Sequence, residues 1–407
     1  MTVIFSWGES WSFLFAWLTG FGFINFCGMV ILERPFVSDV MLNFLRKSGT
    51  SVLKNKFSEC FDGLNFVEND LAANAVKAGE KLYTVSENAL SWIYENMNDS
   101  ELAKQVSMMK NKAEFRRICA SLYPDFFFKE VALSELKGLD VECLPFPFVL
   151  KPSVGFLSAG VYVVENEADW FSAIDDVFSS FREIEGSFPD EVIDGGRFIL
   201  EEYVVGEEYA VDAYFDDCGK PVIVNIFHHP FLSGKDVADR LYLTSKALFD
   251  KYRERFCSFL SDVNGLMGLK NVPVHIEFRV DGDRIMPIEI NPMRFAGMCL
   301  NELFTHLYGK HPVEIFLNGE NVDYEKMWKG NESSFFCFVV LEKDDKNRAF
   351  SLDLKKISDS IKNGLDIRLV DNPNLNIFGF LFVKIENADT EEVDRLLRLD
   401  VNSLLDA

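Results

Sequence analysis

The chain has 407 residues, of which 48% are hydrophobic and 14% aromatic, so it can bury a large core but is too long for one compact domain. Its formal net charge of -23 excludes nucleic acid as an expected partner, because an acidic protein repels phosphates. The 8 cysteines are scattered without C-x-x-C spacing, which is typical of a reduced, cytoplasmic protein.

The N-terminal stretch is apolar. No charged residue occurs between Trp11 and Leu32, a run long enough to cross a bilayer as a helix. No Lys or Arg precedes Arg34, so the basic flank of a secretory signal is absent. Membrane association through residues 11–28 is therefore an alternative, but we favour a packed segment. Native translation from Met29 is a third possibility.

Residues 29–110 are predicted to form a small Rossmann-like α/β domain with a parallel sheet. Apolar residues recur at helical spacing from Phe36 to Arg46, and Lys47-Ser48-Gly49 is expected to close this helix. The expected strands are Val30–Leu32, Ser51–Leu53 and Lys81–Val85.

A second helical region is predicted to break at Asn111. Asn111 and Glu114 have the spacing of a capping box, in which Glu114 reaches back to the cap. The new helix is expected to run to Tyr123, because Pro124 follows.

From Phe146 onward the pattern changes to strands of alternating polarity. A long helix is expected from Asp239 to Val263. Antiparallel pairing is predicted for Phe148–Lys151 with Val161–Val164, for Arg197–Val204 with Glu208–Phe215 and then Pro221–Phe227, and for Val274–Val280 with Ile285–Asn291.

The C-terminal part is predicted to form a separate small α+β domain over residues 332–407. Polar residues from Asn321 to Asn331 indicate a linker before it. Phe335–Leu341 and Phe378–Ile385 are expected strands, and Thr390–Leu405 is an expected amphipathic helix.

The hairpin after Val274 carries the strongest chemical signal. Glu289 and Asn291 share one strand face, because side chains alternate. A two-residue loop at Asp281–Gly282 would put Glu289 on the wrong side for Glu277. A three-residue loop, Val280–Gly282, would align all three and place its glycine in the left-handed region. We therefore predict this loop and three converging oxygen ligands, which suit Mg²⁺.

Two alternatives to a magnesium site are a solvated hairpin face and a zinc site. Apolar neighbours on both sides of the hairpin argue that it is central and not solvated. The sequence His275-Ile276-Glu277 imitates half of a zinc-deaminase signature, but no Pro-Cys-x-x-Cys follows.

A second signal is the strand that ends in Lys151 and continues into a small-residue loop. Lysine suits phosphate as a point charge, and Ser153 and Gly155 let backbone N–H groups approach phosphate oxygens. The alternative is an ordinary hairpin. The loop is not a Walker A motif, which needs Gly-Lys-Ser/Thr opening a helix.

A third signal is the segment Phe198–Asp212, which has the form strand, short apolar hinge, strand. Hinge backbone groups can recognise an adenine edge, and Glu208 can accept from ribose hydroxyls. Acidic residues in a hairpin are more often merely solvated, so this signal is weak alone.

In chain order these motifs resemble the ATP-grasp superfamily over residues 111–319, most specifically in Glu289-Ile290-Asn291-Pro292. The resemblance implies an ATP-grasp fold of two α+β subdomains gripping ATP, with the small α/β domain before it and the α+β domain after it. It implies ATP binding by Lys112, Lys151, Ser153, Gly155, Glu201, Glu202, Tyr203, Val204 and Glu208, metal binding by Glu277, Glu289 and Asn291, and catalytic roles for Lys151 and Arg294.

The resemblance also implies an ATP-dependent ligase that uses one or two Mg²⁺ ions, which Mn²⁺ could replace. A carboxylate would attack the γ-phosphate, and an amine or thiol would displace phosphate from the acyl phosphate. His228, His229 and His275 are candidate substrate contacts, and surface or supporting roles are the alternative. A loop with Phe156 and Leu157 is poorer in glycine than family loops, which puts turnover rate in doubt.

Other functions remain open at this point. The same site could carry out another phosphoryl transfer, although the chain lacks the Met-Lys-Met segment of a fused biotin carboxylase. The protein could also be a non-catalytic ATP-binding module. The expected partners are small carboxylates and amines, and a homodimer is left open.

Overall fold

The computed structural model describes residues 28–154, 160–184, 196–233, 238–344, 347–361 and 363–406. Apart from Gly28, the apolar segment 11–28 lies outside the described residues, and so does Gly155. Within the described ranges, no helix has the length and apolar character that crossing a membrane requires.

The described part of the chain begins with a four-stranded parallel sheet, as predicted for a Rossmann-like unit. Its strands, in the spatial order β3-β2-β1-β4, are β1 Met29–Ile31, β2 Ser51–Leu53, β3 Asn65–Val67 and β4 Leu82–Thr84. Strand β3 was not predicted, because two of its three side chains are exposed and give no apolar pattern.

Three helices accompany this sheet, α1 Asp39–Ser48, α2 Asn69–Lys77 and α3 Leu90–Met97. Helix α1 begins where the Ser38 hydroxyl accepts from the Met41 N–H. It ends at Gly49, as predicted, and the φ of 66° at this glycine is in the left-handed region.

Helix α4 (Glu101–Lys110) and helix α5 (Lys112–Cys119) meet at Asn111, which confirms the predicted break. The Asn111 side chain accepts from the Ala113 and Glu114 N–H groups, each at 3.0 Å. Glu114 pairs with Arg117 instead of reaching back, so the predicted capping box is only half formed. The helix also ends at Cys119, earlier than predicted.

A second, antiparallel sheet has the order β5-β8-β6-β7 and is called the small sheet below. Its strands are β5 Phe128–Ala132, β6 Phe148–Pro152, β7 Tyr162–Val164 and β8 Arg197–Glu202. The predicted pairing of β6 with β7 is confirmed. Helix α6 (Glu167–Ile184) packs Trp170 and Ile174 into the same cluster as Phe148.

The large sheet has eight strands in the order β13-β12-β9-β10-β11-β14-β16-β15. They are β9 Glu207–Phe215, β10 Pro221–His229, β11 Leu241–Ser245, β12 Val272–Asp281, β13 Arg284–Pro292, β14 Phe335–Glu342, β15 Gly364–Leu369 and β16 Ile377–Ile385. Helix α7 (Lys246–Met267) covers one face, where Phe256 stacks on Phe278 at a centroid distance of 4.6 Å.

The predicted pairing of β8 with β9 is wrong, because the chain passes from the small sheet to the large sheet between them. Gly206 makes this crossing with a φ of 121°. A Cβ at this position would lie 2.4 Å from the Val280 carbonyl oxygen, so the hinge packs directly on the backbone of β12. The two sheets can therefore face each other across a cleft.

The predicted helix start at Asp239 is also wrong. Residues Leu241–Ser245 form β11, which pairs with β14, and Ser245 then caps helix α7. The pairing with a strand almost a hundred residues later outweighs the local helical pattern.

The predicted linker Asn321–Asn331 contains a helix, α10 (Tyr324–Trp328), which follows α8 (Leu303–Tyr308) and α9 (Pro312–Asn318). The Tyr324 hydroxyl donates to the Ile223 carbonyl at 2.8 Å, and Trp328 is buried against Phe249. This segment is therefore part of the core and not a free linker.

The C-terminal strands β14, β16 and β15 extend the large sheet. The last helices are α11 (Leu354–Ser360) and α12 (Thr390–Leu397), and α12 is shorter than predicted because a 3-10 turn forms at Val401–Leu404. These C-terminal strands share one sheet with β9 to β13, so no break in the sheet marks the predicted boundary at residue 332. The domain boundaries stay a prediction.

Glu302 joins three parts of the chain in the interior. Its carboxylate accepts from the Ser38 hydroxyl at 2.5 Å and pairs with Arg368. The His311 Nε2 lies 3.4 Å away. All four side chains are buried, so this cluster ties the N-terminal unit, the helices after β13 and the C-terminal strands together.

Candidate functional site

A cleft of about 380 Å³ lies between the small sheet and the large sheet. It has the size and the mixed lining that are usual for small-molecule sites. The predicted site residues that line it are Lys112, Lys151, Glu201, Glu202, Tyr203, Val204, Glu208, His229, His275, Glu277, Glu289, Asn291 and Arg294. Ser153 and His228 are described but do not line it.

Glu277 and Glu289 share a face because of a β-bulge. Strands β12 and β13 are joined by a two-residue loop with Gly282 at φ 55°, so the predicted three-residue loop is wrong. The register runs regularly from the loop to Phe278, opposite Pro287, and then shifts. Ile288 is left without a cross-strand partner, and Glu277 lies directly opposite Glu289.

Strong local charges surround the carboxylate of Glu289. The Lys112 Nζ lies 2.6 Å from its Oε2, and the Asn291 amide donates to its Oε1 at 2.9 Å. Burial acts to raise the pKa of Glu289, but the charges of Lys112 and Lys110 outweigh it and hold this pKa well below its usual range. Glu289 is therefore an anion at neutral pH.

Glu277 has the opposite shift. Burial raises its pKa, and the negative charge of Glu289 raises it further. Two carboxylates that repel each other beside the amide oxygen of Asn291 form the hard oxygen donor set that suits Mg²⁺. A divalent cation between them would remove the repulsion, so these residues fit the metal.

His275 lies behind Glu277 and is fixed by Asp212. Its Nδ1 is 2.9 Å from Asp212 Oδ1, and its Nε2 is 3.7 Å from Glu277 Oε1. Burial alone would lower the pKa of His275, but the hydrogen bonds and negative charges of Asp212 and Glu277 together outweigh it and raise the pKa to about 9. Asp212 also accepts from the Ala296 N–H at 2.7 Å and from the Asn225 amide at 2.8 Å.

Lys151, Glu201 and Arg116 form a buried ion cluster on the small-sheet side. The Lys151 Nζ is 2.5 Å from Glu201 Oε1, and the Arg116 Nε is 2.7 Å from Glu201 Oε2. Burial opposes the charge on Glu201, but the two cations outweigh it and lower its pKa to about 2. The Glu201 side chain therefore holds Lys151 in place, and its backbone lies in strand β8 just before the hinge.

Among the hinge residues that line the cleft, Glu202 to Val204, one backbone donor is left for a ligand. The N–H groups of Glu202 and Tyr203 donate to the Phe127 and Pro147 carbonyls. Within the described ranges, the Val204 N–H has no hydrogen-bond acceptor. The apolar side chains that line the cleft nearby are Val149 and Val163 from the small sheet and Ile288 from the large sheet.

Glu208 and His229 lie together on the cleft side of the large sheet. Glu208 pairs with Arg279 at 2.7 Å and with the His229 Nδ1 at 2.9 Å. His228 is on the opposite face of β10, where it bonds Glu207 at 2.8 Å and stacks on Tyr209. The structure therefore does not support the predicted substrate contact for His228.

Ser153 is fully buried behind the cleft. Its hydroxyl donates to Glu130 at 3.2 Å, and its carbonyl accepts from the Lys112 N–H at 2.7 Å. It orients the start of helix α5 and does not line the cleft. The predicted phosphate contact of Ser153 is therefore not supported by its position.

Arg294 pairs with Glu87 at 2.5 Å, and Glu87 also bonds Lys110. Both Glu87 and Lys110 are almost completely buried. Burial opposes the charge on Glu87, but Lys110 and Arg294 outweigh it and lower its pKa. This cluster fixes Arg294 in the cleft lining, and Lys110 also donates to the Asn291 side-chain oxygen at 3.4 Å.

Sequence reasoning missed five charged residues here, Glu87, Lys110, Arg116, Asp212 and Arg279. Two signals were readable. Arg116 stands one helical turn after Lys112, so both side chains share a face. Asp212 is the one charged residue in the apolar stretch Tyr209–Phe215 of β9, where an unpaired carboxylate would be unfavourable.

Part of this chain matches a known protein family, and its fold is similar to solved structures. Residues 144–302 match the family model described as an ATP-grasp domain. A comparison with curated proteins gives no match. The fold is similar to an L-amino acid ligase from Bacillus licheniformis, with 14% identity, coverage of 93% of this chain and 98% of that chain, and a TM-score of 0.64.

Two further solved structures show the same fold. N5-carboxyaminoimidazole ribonucleotide synthetase from Thermotoga maritima has 14% identity, covers 93% and 98% of the two chains, and gives a TM-score of 0.60. The biotin carboxylase domain of 2-oxoglutarate carboxylase from Hydrogenobacter thermophilus, solved with MgADP and bicarbonate, has 13% identity, coverage of 90% and 88%, and a TM-score of 0.62.

Proposed function

We propose that this chain, which contains an ATP-grasp domain, is an ATP-dependent ligase that activates a carboxylate as an acyl phosphate and joins it to an amine. One observation carries the proposal. Three oxygen donors suited to magnesium and two buried lysines converge in a single cleft between two sheets. The similar folds of an amino acid ligase and a carboxyaminoimidazole ribonucleotide synthetase support it.

The cleft offers a place for each part of ATP. The adenine ring fits between the apolar walls from the two sheets, with the Val204 N–H as donor to its edge. Glu208 is within reach of the ribose beyond the hinge. Lys112 and Lys151 supply the positive charge for the phosphates, since each lines the cleft beside its carboxylate partner.

Glu277, Glu289 and Asn291 would hold one or two Mg²⁺ ions. Bound magnesium would neutralise charge on the β- and γ-phosphates. Lys112 is held against Glu289 at 2.6 Å, so the same carboxylate positions both the metal and the lysine. This arrangement explains why Glu289 must stay ionised.

The reaction has two steps in this account. A substrate carboxylate oxygen attacks the γ-phosphorus, and the bond from that phosphorus to the oxygen of ADP breaks. An amine then attacks the acyl carbon, the carbon–oxygen bond to phosphate breaks, and the amine loses a proton. Arg294, fixed by Glu87, stabilises the negative charge of the transferred phosphoryl group.

The test is to identify the nucleotide product with MgATP and a pool of amino acids and small carboxylates. We expect ADP and phosphate, dependent on the pool. Glu289→Gln removes a metal ligand and should lower turnover by at least about 100-fold. Asp283→Asn removes one exposed charge from the tip of the same hairpin and should leave turnover unchanged.

Each other outcome has a definite meaning. AMP and pyrophosphate would contradict the acyl phosphate and indicate adenylation. No turnover with any pool member, together with an ATP-dependent rise in melting temperature, would instead favour a non-catalytic ATP-binding module.

A further inference from the structure

One row of side chains crosses the large sheet from its charged end to an apolar end. Arg279 lies opposite Glu208, and Glu208 lies opposite His229. His229 stacks on Tyr242 at a centroid distance of 4.1 Å, and Tyr242 lies opposite Phe338. All five line the cleft, so the cleft continues past the ATP site onto aromatic side chains.

Beyond Phe338 the lining is apolar, and we call this region the apolar chamber. It is built from three parts of the chain: Phe36 of the N-terminal unit, Met298 of the loop after β13, and Phe338, Val340, Ile377 and Phe380 of the C-terminal strands. Phe338 stacks on Phe380 at 5.0 Å, and Phe36 meets Phe380 edge-on at 5.6 Å. The aromatic contacts give the chamber a fixed floor.

A buried polar group without a hydrogen-bond partner among the described residues also lines the cleft. Ser86 is 8% exposed and lines the cleft, and among the described residues its hydroxyl has no hydrogen-bond partner. It immediately precedes Glu87, which holds Arg294. A buried hydroxyl without a partner is unfavourable, so it is suited to bond a polar atom of a ligand in the cleft.

We propose that the carboxylate substrate carries a large apolar group, which occupies the apolar chamber while Ser86 bonds the polar end of the substrate. The inference rests on the proposed ligase function. A charged side chain on the substrate would find no counter-ion in the chamber, because the chamber residues are apolar. Glu87, which also lines the cleft, is already paired with Lys110 and Arg294.

The substrate test compares carboxylates one at a time with MgATP and an amine mixture. Phenylalanine, leucine and 3-phenylpropionate represent large apolar acids, and alanine, aspartate and lysine represent small or charged ones. We expect kcat/KM for ADP formation to be at least about 100-fold higher with the large apolar acids, since each methylene in an apolar pocket is worth about tenfold or more.

Two variants connect any preference to the chamber. Ile377→Glu should lower kcat/KM for leucine by at least about tenfold and leave the KM for ATP unchanged. Its control is Leu369→Glu, the same kind of change at an exposed position on the neighbouring strand β15. Ser86→Ala should raise the KM for the acid about tenfold, again without changing the KM for ATP.

The outcomes separate this inference from the proposed function. ADP formation that is fastest with alanine, aspartate or lysine would overturn the apolar-substrate inference and leave the ligase intact. If no acid yields ADP, the ligase proposal fails, and calorimetry with phenylalanine and a non-hydrolysable MgATP analogue decides about the chamber. Binding lost in Ile377→Glu but kept in Leu369→Glu supports it, and no binding overturns it.

Discussion

Glu277 lies directly opposite Glu289 across the β12–β13 hairpin, and the bulge at Ile288 is what gives them a common face. Had the regular register continued from the loop, Glu277 would lie opposite Ile288. Glu289 and Asn291 would then point to the other side of the sheet. One inserted residue therefore assembles the three oxygen donors, and it also sets two carboxylates against each other.

The first prediction follows from that repulsion. Glu277→Gln removes one of two facing negative charges, so the ligand-free protein should keep its stability or gain up to about 1 kcal/mol. MgATP turnover should fall by at least about 100-fold, because an amide is a weaker metal ligand. Thermal unfolding without ligand and an ADP assay measure the two effects.

Glu289→Gln is the matched contrast. It leaves Lys112 without its carboxylate partner, so it should lower the free energy of unfolding by about 2 kcal/mol as well as lowering turnover. Equal stability effects for the two substitutions would contradict the assignment of Glu289 as the partner of Lys112.

The second prediction concerns the ion cluster of Lys151, Glu201 and Arg116. Glu201→Gln would leave two buried cations facing each other, so it should lower the free energy of unfolding by about 3 kcal/mol. Saturating MgATP should restore part of this loss, since phosphate oxygens would replace the carboxylate beside Lys151. Urea denaturation with and without MgATP measures it.

The neighbouring residue provides the control for this cluster. Glu202 pairs with Arg284, whose side chain is 47% exposed. Glu202→Gln should therefore change stability by less than about 0.5 kcal/mol. If both variants lost a similar amount of the free energy of unfolding, burial would not be the reason why the Glu201 cluster stabilises the protein.

The third prediction concerns the contact between Arg368 and Glu302. Arg368→Met leaves a buried carboxylate short of its cation at the meeting point of three chain segments, so it should destabilise the protein by about 3–5 kcal/mol. The control is Arg398→Met, whose partner Asp394 is exposed and whose loss should be nearly neutral. Urea unfolding curves compare the two, and equal midpoints would contradict a structural role for Arg368.

The fourth prediction is a pH dependence from His311. This side chain is buried, stacks on Phe44 at 4.9 Å and accepts from the Val313 N–H, and burial lowers its pKa from 6.5 to about 3. Below pH 6.5 the unfolded chain therefore binds a proton that the folded chain does not. Stability should fall as the pH falls, by about 2 kcal/mol between pH 7 and pH 5 from this residue.

His311→Asn isolates the contribution, because asparagine can also cap helix α9. The variant should lose that share of the pH dependence, whatever its stability at pH 7. If the free energy of unfolding of the variant and of the native protein fell equally between pH 7 and pH 5, the assignment of this pH dependence to His311 would be contradicted.

How much of this was readable from the sequence depends on how local each feature is. The end of helix α1 at Gly49, the break at Asn111 and the β12–β13 pairing each have a signature within a few residues, and they were predicted. The three oxygen donors were also predicted together, but for the wrong reason. A bulge at Ile288 has no sequence signature of its own, so a longer loop was the simpler way to align them.

Features set by distant contacts could not be predicted. The crossing at Gly206 depends on the backbone of Val280, which is far away in the chain. The same holds for β11, whose partner β14 comes almost a hundred residues later. The apolar chamber needs three distant parts of the chain, so no single stretch of sequence indicates it.

The central claim is that a carboxylate oxygen attacks the γ-phosphate of ATP in this cleft. The most direct test uses the best carboxylate from the substrate panel with both oxygens labelled with ¹⁸O, followed by mass analysis of the products. The account predicts one ¹⁸O atom in inorganic phosphate and none in the nucleotide. Label in AMP, or phosphate without label, would contradict it.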